Sequence, residues 1–227
     1  MSAGVSTLDG VTASRKPLLR GHSHAIATLG AIAGVVLLLR LAEGDRPKQF
    51  ALLVYGGSLV LLFAISALYH IGAWSPRRHA LLRRLDHANI FLMLAGSYTP
   101  LGFTMLSGWE RVVMLATVWA LALGGVVLVA SRWRVPRQVR VALYCGLVGL
   151  TVVASPTIIM RLGLHGLSLF ALSALLGLAG ALIYATQRPV LWPRIFGYHE
   201  LFHVMTIAAT GIFFLFIVQQ VIPFHGY

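Results

Sequence analysis

Seven long apolar runs constrain this chain more than any other feature. They cover about 22–41, 50–71, 86–106, 111–130, 139–160, 166–185 and 199–222. Each is long enough to cross a hydrocarbon core of ~30 Å, which takes ~20 residues as a helix. Lipid offers backbone N–H and C=O groups no partner, so a spanning run must pair its own backbone as a helix or join a closed barrel. No strand-length alternation is visible in these runs. The expected fold is therefore all-α: a polytopic membrane protein built as a bundle of seven transmembrane helices. Connections are short, so sequential helices are expected to be antiparallel neighbours. Residues 1–21 form a polar N-terminal tail, 22–222 a single membrane domain and 223–227 a short outer tail. The tail lacks an apolar signal-peptide core and the first run is too long for one, so that run is expected to be retained as a span.

Charge sets the orientation. Thirteen of the 18 Lys and Arg residues fall on the N-terminal tail and the second, fourth and sixth loops, among them Arg77, Arg78, Arg83, Arg84, Arg132, Arg134, Arg137, Arg140, Arg188 and Arg194. The other ends hold five. Positive residues stay inside, so the N-terminus is expected in the cytoplasm and the C-terminus outside. A net charge of +12 also raises nucleic acid as a partner. The basic residues lie between apolar runs and leave no soluble domain to bind it, so no nucleic acid is expected. The single cysteine, Cys145, lies inside an apolar run and reads as a small buried hydrophobe. The loop over 72–85 interleaves four arginines with Leu81, Leu82 and Leu85. It reads equally as a short interfacial helix or as a solvated basic loop.

Against this apolar background the ionisable residues stand out. Six carboxylates exist, and only Asp86 and Glu200 lie at or just inside a span. Ionisable groups there are costly and are usually paired or functional. Glu200 belongs to His199-Glu200-Leu201-Phe202-His203, an HExxH helix start. Residues i and i+4 share a helix face, so His199 and His203 can meet one metal ion. The antiparallel topology brings His70, at the end of the second run, into the same leaflet, along with Asp86 and His87 at the start of the third and His24 at the start of the first. His70 is the expected third ligand. Asp86 taken alone also reads as a helix cap, and His87, one position on, as an interfacial residue. Ser66, one turn before His70, reads as a neighbour of the ligand or as a packing hydroxyl. Pro100 is expected to bend the third helix. Gly30-xxx-Gly34 and Ser173-xxx-Gly177 read as close helix contacts.

The motifs Ser66-Ala67-Leu68-Tyr69-His70, Arg84-Leu85-Asp86-His87-Ala88-Asn89-Ile90, Gly96-Ser97-Tyr98-Thr99-Pro100 and Gly197-Tyr198-His199-Glu200 with His203 occur in this order. In them the chain resembles the haemolysin III family, the bacterial branch of the progestin and adipoQ receptor (PAQR) group. The resemblance implies a zinc ion near the cytoplasmic face, held by His70, His199 and His203. It also implies that Asp86 holds a zinc-bound water and that Ser66 belongs to the site. The first-helix motif departs from the family pattern: Ser23-His24 is kept, but Arg20 stands at its asparagine and Pro17 at its acidic position. His24 is left out of the ligand set.

Three imidazoles and one exchangeable water make an open, catalytic type of zinc site. Zinc lowers the pKa of such a water to about 7 and polarises a carbonyl. Asp86 is then the expected general base and Glu200 its rival. The leading expectation is a zinc-dependent hydrolase acting on an amide or ester bond of a membrane lipid that enters from the bilayer. Two alternatives stand beside it: a receptor-like or regulatory protein with structural zinc, and a pore-forming cytolytic protein. A retinal protein is excluded, because the only lysines are Lys16 and Lys48 and neither lies in the last run. The expected location is the plasma (inner) membrane, as a multi-pass protein with membrane lipids as partners.

Overall fold

A computed structural model describes residues 21–131, 135–153, 156–189, 191–192 and 196–224. The N-terminal tail up to residue 20, with Pro17 and Arg20, lies outside the described residues, as do Arg132, Arg134, Arg194 and His225. Seven α-helices run through the described residues: α1 His22–Leu41, α2 Arg46–Ile71, α3 Pro76–Met105, α4 Gly108–Ala130, α5 Arg137–Val153, α6 Pro156–Thr186 and α7 Tyr198–Phe216, the last passing into a π turn, Ile217–Val221. No strand occurs among these residues. Successive helices pack on one another, α1 also meets α7, and α3 reaches α2, α4, α5 and α6.

Five of the seven are long and apolar enough to cross a membrane. Of the other two, α5 has 17 residues and α3 is the most polar. The composition of α3 follows from its place. Its stretch from Ala95 to Gly102 is buried throughout, so it faces other helices rather than lipid. Its hydroxyls are satisfied inside the helix, Ser97 donating to the Met93 carbonyl at 2.8 Å and Thr99 to that of Ala95 at 2.9 Å. The outer helices show the complementary pattern, with Ile26, Leu29, Val127 and Leu164 each at least 69% exposed. Such surfaces are stable only against lipid tails.

Three boundaries differ from the sequence reading. The basic stretch over 76–85 is neither a separate interfacial helix nor a loop: it forms the first turns of α3, opened by Pro76 behind Ser75. Proline at a helix start has no N–H to waste, and nothing in the arginine-leucine pattern then interrupts the helix. The fifth run does not continue to residue 160, because Pro156 begins α6. Within α6, Gly163 at φ 61°, ψ 177° breaks the helical path, a backbone that glycine adopts at no steric cost. α3 continues through Pro100 to Met105, and the Thr104 hydroxyl bonds the Pro100 carbonyl at 2.6 Å. Of the small-residue pairs, Gly34 meets Phe214 of α7, whereas Gly30 and Gly177 face open space. Ser173 does sit at a contact, donating to the Ala209 carbonyl of α7 at 2.8 Å.

The end of the bundle where α2 starts and α7 finishes is tied by Lys48, which is 4% exposed. Its ammonium donates to the carbonyls of Ile222 at 3.1 Å and Phe224 at 2.9 Å and lies 3.4 Å from Asp45. Lys48→Met leaves those acceptors unsatisfied, at about 1–3 kcal/mol. The expected result in detergent is a lower thermal midpoint with unchanged metal content, read by differential scanning fluorimetry and elemental analysis.

Candidate metal centre

The opposite end of the bundle gathers the ends of α2 and α6 with the starts of α1 and α7. His70 closes the buried face of α2 that also carries Tyr55, Leu62 and Ser66. His199 and His203 open α7 on one face. The ring nitrogens of His70, His199 and His203 lie within 4.8 Å of one another, and the Nε2 atoms of His70 and His199 are 3.1 Å apart. Zinc bound tetrahedrally at ~2.05 Å sets its nitrogens about 3.3 Å apart. The three imidazoles therefore fit one such ion with little movement. His70 and His203 are buried and His199 is half-buried.

Access to this point depends on a glycine that sequence reasoning passed over. Gly21 caps α1 at φ 89°, and a Cβ there would lie 2.8 Å from the His70 Cβ. Its missing side chain lets the start of α1 press against the end of α2. Only that approach brings His24 inward. His24 is 3% exposed, and its ring stacks on His203 with centroids 3.9 Å apart and planes 11° apart. An imidazole lone pair lies in its ring plane. Two parallel stacked rings cannot aim theirs at one ion, so His24 is not a fourth ligand in this arrangement.

A cavity of about 420 Å³ opens from the histidines and runs up the bundle. Its histidine end holds His24, Ser66, Asp86, His87, His199 and His203, and its length is walled by apolar groups such as Leu62, Ile90, Leu94, Phe170 and Phe213. Along α2 the lining runs from Ser66 to Tyr55, ~16 Å at the helical rise. Asp86 and Ser66 both line this end of the cavity, and the Ser66 side chain interacts with the Asp86 carboxyl. It stands outside the set of ligand atoms within 4.8 Å of one another. Glu200 is turned away: its Oε2 accepts from the Gly197 backbone N–H at 2.9 Å, closing the first turn of α7, and the residue is 3% exposed.

Beyond a position near the helix end, His87 has a specific partner: its Nε2 lies 2.9 Å from the Tyr184 hydroxyl of α6, and it lines the cavity. The Tyr144 hydroxyl of α5 donates to the His87 carbonyl at 2.9 Å. Arg137 lies over the Tyr184 ring at 5.6 Å. No local signal in the sequence marks Tyr144 or Tyr184, since a tyrosine near a membrane surface is ordinary.

The family model described as haemolysin-III related matches residues 12–214. The chain belongs to the haemolysin III family. Among relatives, Hemolysin-3 of Bacillus cereus is 28% identical over 213 residues, covering 92% of this chain and 93% of its own. The Hemolysin-3 homolog of Bacillus subtilis (strain 168) is 27% identical over 204 residues, covering 88% and 92%. Similarity extends to the human monocyte to macrophage differentiation factor, 30% identical over 115 residues, about half of each chain at 48% and 47%. Together with the apolar helices, the haemolysin III membership makes the chain a multi-pass membrane protein.

Proposed function

We propose that this haemolysin III protein is a metal-dependent hydrolase of the plasma membrane that cleaves an amide or ester bond in a membrane lipid, with zinc as the metal. The observation that carries the reading is the convergence of three imidazoles at the polar end of an otherwise apolar cavity, with a carboxylate facing the same space. Bound zinc supplies a Lewis acid and an acidified water at neutral pH. His70, His199 and His203 would hold it. Asp86, oriented by the Ser66 hydroxyl, takes a proton from the attacking water and returns it to the leaving group. Glu200 is engaged with the Gly197 N–H and is the weaker candidate for that role.

The cavity favours an amphiphile over a water-soluble substrate. Leu175 and Leu178 of α6 line it and are also 61% and 52% exposed, which fits entry of a lipid tail from the bilayer. With the positive-inside orientation, the metal centre faces the cytoplasm. The test is turnover by zinc-loaded, detergent-purified protein on a panel of N-acyl and O-acyl lipids, read by mass spectrometry of released acids. Full metal occupancy with no release across the panel would overturn the hydrolase and leave a receptor-like protein with a structural metal. The Bacillus relatives' names point to cytolysis as another outcome. Dye release from liposomes, unchanged by loss of the metal ligands, would support a pore.

A further inference from the structure

His24 is a buried polar group beside the metal centre that the proposed chemistry leaves unused. Both of its ring nitrogens are buried and lack a hydrogen-bond partner among the described residues. The His203 backbone interacts with the ring but not in hydrogen-bond geometry. A neutral imidazole carries one donor and one acceptor. Leaving both unmet in apolar surroundings is costly, and a group so placed usually has a partner that arrives. One face of the ring is taken by His203 and an edge meets Phe63 at 5.0 Å. The residue is also part of the cavity lining. The stack turns the ring away from metal ligation, and an amphiphile seated in the cavity is a source of the missing partner.

We propose that His24 is a ligand-contacting residue of this cavity, its imidazole hydrogen-bonding the polar group of the amphiphile seated beside the metal centre. This rests on the reading of the cavity as an amphiphile site. It gives the Ser23-His24 motif a place despite the departures at Arg20 and Pro17: the histidine serves the ligand rather than the ion. The partner chemistry is a hydroxyl, amide or carbonyl, since a neutral imidazole both donates and accepts. Its closeness to His203 also places that group next to the ligand histidines.

The experiment uses zinc-loaded full-length protein in the Asp86→Asn background, so that the probe is not consumed. The probe is N-dodecanoyl ethanolamine, with affinity measured by native mass spectrometry and metal content by elemental analysis. His24→Phe keeps a flat ring on His203 and removes both nitrogens. It is expected to retain zinc and to bind the probe about tenfold more weakly, the effect of one lost hydrogen bond. His24→Gln keeps a donor and an acceptor and is expected to stay within about threefold of the parent. His24→Leu is the second apolar variant, so that either apolar replacement that folds decides the matter. Parent-like affinity in a folded apolar variant would overturn the proposal. Equal weakening in Gln and Phe would also overturn it, because shape rather than hydrogen bonding would then be at work. Loss of zinc in His24→Phe would make His24 part of the metal site and overturn it as well. Ala174→Trp, which fills the cavity from α6, separates the two readings. If it binds the probe as the parent does, the cavity is not the amphiphile site and the functional reading falls. If it abolishes binding while His24→Phe does not weaken it, only the role of His24 falls.

Discussion

His70→Ala is expected to lose nearly all bound metal. In protein purified from zinc-containing medium, elemental analysis should find the wild type near one zinc per chain, and His70→Ala and His203→Ala below a tenth of that. The reason is geometric: one ligand comes from the end of α2 and two from the start of α7, and removing any one leaves two imidazoles where an open zinc site needs three protein ligands. Lys48→Met, at the far end of the bundle, should keep its zinc. This makes it a control for damage to the fold. Binding energy spent on the ion also stabilises the folded chain, so the two histidine variants should lose the rise in thermal midpoint that zinc gives the wild type. Zinc retained at full level in His70→Ala would break the three-histidine site.

Asp86→Asn is expected to separate metal binding from chemistry. The carboxylate faces the cavity but stands outside the three-histidine cluster, so the variant should hold as much zinc as the wild type. Asparagine matches the shape of aspartate and can still meet Ser66, but it cannot accept a proton from water. Loss of a positioned general base lowers turnover by ~10²–10⁴-fold, measured on whichever lipid of the panel the wild type cleaves. Turnover near the wild-type level would remove Asp86 from the mechanism. Glu200→Gln serves as the comparison: its carboxylate caps α7 through Gly197, so its main expected effect is on stability, and a loss of turnover with stability intact would move the base to Glu200.

What the chain discloses residue by residue follows from how lipid acts on it. Each apolar run is selected by the bilayer more or less on its own, so the all-α architecture and the seven helices of the described residues were readable from hydropathy. So was the pairing of His199 with His203, which depends only on helical periodicity. His70 and Asp86 were within reach because antiparallel helices put known helix ends at one end of the bundle. The misread boundaries are those that hydropathy cannot sense: a charged but helical start to α3, and a break at Pro156 between two equally apolar stretches.

The rest depended on how the helices are rotated and how closely they approach. His70 and His199 are 129 residues apart, and His87 and Tyr184 are 97 apart. Whether such pairs meet depends on the facing of each helix, which small residues and side-chain shapes on distant segments decide together. Gly21 admits the start of α1 to the end of α2, where His24 stacks on His203. Sequence alone determined the helices and the end of the bundle that holds the histidines, because solvation and periodicity are local. Tertiary structure alone decided which side chains meet, where the cavity runs and that Glu200 turns away from it, because packing is settled only when all seven helices are in place.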